Sequence, residues 1–120
     1  MLRNAIEHML LLEAQRASDP NPADKETGVS VNARLLNWIP GFAAQNHNVY
    51  FGTDSADVSA ATLNNTRGTL YSVGQDEAVF DPRPLEHSTT YYWRIDEVKA
   101  DGTVTKGRVW RFTTEPSGSV

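Results

Sequence analysis

The chain has 120 residues, with 11 basic and 15 acidic side chains, a net charge of -4 and no cysteine. That length suits one domain. The lack of Cys removes disulfides and thiolate metal sites, and a mildly acidic chain without a Lys/Arg cluster disfavours nucleic-acid binding by phosphate neutralisation.

Residues 1–17 contain no Gly or Pro and are rich in Leu, Ala, Glu and Arg. Leu2, Ile6, Met9 and Leu10 recur near helical spacing, which predicts an amphipathic helix ending near Ala17. The segment is too short and too charged to span a membrane, and its apolar run is too short for a secretion signal. It reads either as a linker or as a docking and self-association helix whose apolar face needs a partner. The Pro-rich loop from Ser18 to Glu26 then marks a domain boundary.

Beyond it the pattern is β throughout. Strands are expected at Thr27–Val31, Arg34–Ile39, Asn48–Phe51, Thr69–Val73, Ala78–Phe80, Tyr91–Val98 and Arg108–Thr113. A parity switch between Val29/Val31 and Leu36/Trp38 requires a break at Asn32-Ala33. Phe42–Asn46 reads as loop, Asp54–Arg67 as the least regular stretch, and Thr69–Val73 as an edge strand. The strongest strand runs from Tyr91, with Tyr91, Trp93 and Ile95 on one face and Tyr92, Arg94 and Asp96 on the other. Asp101-Gly102 supplies the hairpin turn to the last strand, which places Trp110 and Phe112 on a common face. Seven short strands with turn signals between them predict an all-β antiparallel sandwich preceded by an N-terminal helix. Residues 116–120 resemble the start of a linker, so the sandwich is placed at 18–115.

Leu36-Asn37-Trp38, Asn48-Val49-Tyr50-Phe51, and Leu85 followed six residues later by Tyr91 resemble the fibronectin type III superfamily, an immunoglobulin-like sandwich. More narrowly, Pro20–Asp24, Asn48–Thr53, Thr90–Val98 and Gly107–Thr114 resemble fibronectin III-like modules of large secreted bacterial proteins, planctomycetes especially. The resemblance implies a tyrosine corner at Tyr91, its hydroxyl tied to the loop anchored by Leu85. It also implies an extracellular or cell-envelope setting. No Arg-Gly-Asp occurs in Lys99 to Gly107, so integrin-type binding has no support.

Candidate chemistry is sparse. His8, His47 and His87 show no metal-ligand spacing and read as solvated or packing residues. Alternation separates Asp96 from Glu97, which read as surface charge, while Asp54 and Asp57 suit a cap on a short helical turn. No nucleophile elbow or phosphate-cradling Gly loop is present, so no enzyme activity, cofactor or metal is expected. Trp38, Trp93 and Trp110 have core parity. The outward-parity residues Tyr50, Tyr71 and Tyr92 are the candidates for surface contact, including a glycan. The expected function is a non-catalytic spacer or protein-interaction module between neighbouring domains. The alternatives are an assembly subunit joined through Leu2, Ile6, Met9 and Leu10, and a carbohydrate-binding module using the three tyrosines.

Overall fold

The computed structural model describes residues 13–32 and 35–117. The predicted helix therefore lies mostly outside the described residues, which include only its helical end at residues 13–15. Nine strands are present among the described residues, against the seven expected. They are β1 (Ser18–Asn21), β2 (Glu26–Val29), β3 (Leu36–Ile39), β4 (Ala44–Gly52), β5 (Leu70–Gln75), β6 (Val79–Phe80), β7 (Thr90–Lys99), β8 (Val104–Thr105) and β9 (Val109–Thr114). A six-residue helix, α1 (Ser55–Ala60), joins β4 to β5.

The two additional strands have simple origins. β1 contains Pro20 and reads as a loop in sequence, but a short strand pairing on one side tolerates a missing N–H. β8 is the two-residue return of the β7 hairpin, too short to show an alternating pattern. The segment predicted as loop at Phe42–Asn46 is partly strand: its polar residues hide the pattern, yet Ala44 and Asn46 pair with Lys99 and Val98 of β7.

One sheet has the order β1-β3-β6; the other runs β2-β9-β7-β4-β5, with β8 also on β7. Pairing is antiparallel except between β2 and β9, which run parallel. The chain thus changes sheets between β1 and β2.

The inner faces meet where alternation places them. Trp38, Trp93 and Trp110 are all buried, together with Val29, Leu36, Val49, Phe51, Tyr91, Ile95 and Phe112. The indoles contact edge to face, Trp93 lying 4.8 Å from Trp110 and 6.1 Å from Trp38 centroid to centroid, while Phe51 stacks on Tyr91 at 5.1 Å. The tyrosine corner forms as the resemblance implies, with the Glu86 N–H donating to the Tyr91 hydroxyl at 2.8 Å. At the far end of β7 the inward residue is Glu97. It pairs with buried His47 and accepts the Gly41 N–H at 2.7 Å. Gly41 is required there, since a Cβ would come within 2.1 Å of the Gln15 carbonyl oxygen.

Trp93 has no exposed surface, and it contacts both other indoles. Trp93→Ala should therefore destabilise the protein by about 3–5 kcal/mol in urea denaturation. A cost under about 1 kcal/mol would contradict this packing.

Candidate functional site

On the outer face of the larger sheet, β4 and β7 set Asn48 beside Asp96 and Tyr50 beside Arg94 in register. Outward parity normally means contact with water. Here the segment from α1 to Leu63 folds back over the face, and Val58 and Ala61 pack on Tyr50 with Tyr92 and Val109 at the margin. The sequence permits this because Asp54 caps α1, its carboxylate accepting the Asp57 N–H at 3.0 Å.

Arg94 holds this cover down. Only 2 % of its surface is exposed, so its charge must be met internally. Its Nε and Nη2 donate to the two oxygens of Asp96, both at 2.8 Å. Nη1 donates to the carbonyls of Val58 at 2.6 Å and Ser59 at 3.1 Å, and Nη2 to that of Ala61 at 2.8 Å. All five guanidinium N–H groups are thereby used. The carbonyls belong to the C-terminal end of α1, where helix acceptors lack partners and a cation is favoured. The guanidinium carbon also sits 4.3 Å from the centre of the Tyr50 ring. Asp96 accepts a further bond from the Gly107 N–H at 3.0 Å. A Cβ at Gly107 would lie 1.9 Å from the Ile95 carbonyl oxygen, so only glycine allows that approach.

Between this cluster, Leu63 and the β8 hairpin lies a cavity of about 230 Å³, its floor formed by Asn48, Tyr50, Arg94 and Asp96. Asn48 is 4 % exposed and its carbonyl oxygen accepts the Gly74 N–H at 2.8 Å. Burial raises the Tyr50 phenol above its ordinary pKa; the Asp96 carboxylate adds to that rise and the Arg94 charge opposes it.

The predicted contact residues therefore part company. Tyr71 is 52 % exposed on β5, beside the likewise exposed Leu70 and Val73. Tyr92 is half-buried, and Tyr50 keeps outward parity but is 2 % exposed, so it offers no open stacking platform. Leu2, Ile6, Met9 and Leu10 lie outside the described residues. Asp96 and Glu97 do point to opposite faces, but both are buried rather than surface charges, because β7 is covered on both sides. His47 is buried and paired, whereas His87 is exposed. No group of three or more metal-ligating side chains occurs among the described residues. Arg94, Asp96 and Asn48 are the site residues that sequence reasoning missed. Their only signal was the second face of the aromatic-rich strand itself, where Arg94 and Asp96 share parity with Tyr92.

With this geometry in view, the chain is similar to a solved Fn3-like protein from Clostridium thermocellum, with a TM-score of 0.55 and 14% identity, covering 87% of this chain and 96% of that one. The fold is fibronectin type III-like. No protein-family model matches the chain, and no curated protein matches it. The fibronectin III-like sandwich here thus carries its likeness in architecture, while the Arg94 cluster is read from this chain's own residues.

Two outcomes follow. Arg94→Met leaves Asp96 buried without its counter-charge and frees the α1 carbonyls, so it should cost about 3–5 kcal/mol in denaturant unfolding. The raised Tyr50 pKa means its neutral form is favoured in the folded state. Its contribution is complete below the unfolded value of 10.0 and is lost as pH rises through the folded value. Stability measured across the alkaline range should therefore fall above pH 10.0, and Tyr50→Phe should lessen that fall.

Proposed function

We propose that this chain is a non-catalytic fibronectin III-like module that acts as a spacer or protein-interaction domain in an extracellular or cell-envelope protein. The observation that carries this reading is the path of the chain through the sandwich. Residues 13–17 dock at the end where Ala44 meets Lys99, with the Phe42 N–H donating to the Ala14 carbonyl at 2.8 Å. The chain leaves at the opposite end, where the Ser88 N–H donates to the Glu115 carbonyl at 3.0 Å. Between these ends runs β7, ten residues long, or roughly 33 Å of extended strand. In this reading the sandwich holds flanking segments apart rather than bringing them together.

The buried charges favour the same reading. Arg94, Asp96 and Glu97 are engaged in internal ties that hold the covering segment and the Gly41 loop. No helix among the described residues is long and apolar enough to cross a membrane. The likeness of Asn48–Thr53 and Thr90–Val98 to modules of large secreted bacterial proteins supports the extracellular setting.

The test is a fusion in which this chain joins two folded reporter domains, with their separation read by small-angle scattering. The expected separation exceeds that of a direct fusion by about 33 Å. Reporters packed side by side at the direct-fusion distance would overturn the spacer reading.

A further inference from the structure

We infer that the cavity on the outer face of β4 and β7 is a binding site for a neutral, polyhydroxylated ligand the size of one hexose ring. Two nearly buried side chains on its floor keep unused hydrogen-bonding capacity. The Asn48 carbonyl is taken by the Gly74 N–H, while its amide nitrogen makes no hydrogen bond among the described residues. The Tyr50 hydroxyl is likewise without a partner there, although the residue is 2 % exposed. Neither atom is fully enclosed: the enclosed side-chain atoms without a partner among the described residues are the Trp38 and Trp93 indole nitrogens, so the Asn48 amide and the Tyr50 hydroxyl reach open space where a ligand can meet them. Asp96 retains acceptor capacity on Oδ2, which receives a single bond from Arg94.

The charged pair on the cavity floor offers no seat to a small ion, and Lys106, which also lines the cavity, is exposed to solvent. Arg94 has no N–H left for an anion, and its charge is opposed by Asp96 at 2.8 Å. A cation would find that carboxylate already paired. What remains on the floor is a mixture of donors and acceptors around a mutually neutralised pair, with Ala61, Leu63 and Val104 as apolar walls and Lys106 at the exposed side. Hydroxyl groups, each both donor and acceptor, match the floor, and the C–H face of a saturated ring matches the walls. The volume of about 230 Å³ falls below the usual range for drug-sized ligands, which limits the occupant to one ring. The tyrosine contribution is then an edge-on hydroxyl from Tyr50, not an aromatic stacking face. This site stands apart from the spacer reading, and either could fail without the other.

The experiment is an NMR titration of the ¹⁵N-labelled protein with D-glucose, D-galactose and D-mannose, up to about 100 mM, since so small a contact gives affinities on the order of millimolar. At least one sugar should give saturable shifts at the Asn48 side-chain amide and at the backbone amides of Leu63, Val104 and Lys106. Asn48→Ala and Tyr50→Phe should each weaken that binding by roughly two- to tenfold, the effect of one lost hydrogen bond. Leu63→Ala, on an exposed loop, should weaken it too, and it decides the matter with Tyr50→Phe if Asn48→Ala does not fold. The inference is overturned if no sugar gives saturable shifts, or if the shifts map to Tyr71 and the β5 edge. It is overturned equally if the variants bind as well as the parent, or if acetate or ammonium saturates the same amides more tightly than any sugar.

Discussion

The burial of one guanidinium governs how this sandwich is finished. A charged Arg94 beneath a protein layer is tolerable only if every N–H finds an acceptor, and the groups that surround it, acceptors and one aromatic face, come from three separate places. Asp96 comes from the same strand, the carbonyls from α1 and the turn after it, and the ring face from Tyr50 on β4. Each of these groups is fixed because Arg94 needs it. The outer face of β4 and β7 therefore becomes a second small core, and a six-residue helix that could not persist alone is held in place.

β7 consequently has no solvent side along most of its length. Its inward residues end in Glu97, which meets His47 and Gly41; its outward residues centre on Arg94 and Asp96. The two ionisable sets lie on opposite faces of adjacent positions and tie down different loops. Two glycines mark the places where those loops come closest: Gly41 against the Gln15 backbone and Gly107 against the Ile95 backbone. In each case a carboxylate on β7 accepts the glycine's N–H, so close approach and hydrogen bond depend on each other.

Most of the architecture was legible from alternation and turn chemistry. The three indoles lie inside, Tyr91 makes its corner, Asp54 caps a helical turn and β5 sits at an edge. Period-two reasoning distinguishes the two faces of a strand, but it cannot say what lies above the second face. Tyr50 has the parity expected of it, and yet α1 covers it, because a helix this short leaves no periodic signal in Asp54–Arg67. The same gap concealed the candidate site. Arg94 and Asp96 look like solvent-facing charges until the carbonyls of residues 58–61 are placed over them. β1 and β8 escaped notice because pairing alone, without an apolar pattern, makes them strands.

The parallel pairing of β2 with β9 has a mechanical meaning. Both strands run from the end where residues 13–17 dock toward the end where Glu115 departs. Tension applied along the molecule draws β2 one way and β9 the other, so their hydrogen bonds are loaded together in shear instead of being peeled open one after another. A link strained in that manner yields only when several bonds break at once. The seam between the first and last strands of the larger sheet is thus where the chain resists being pulled.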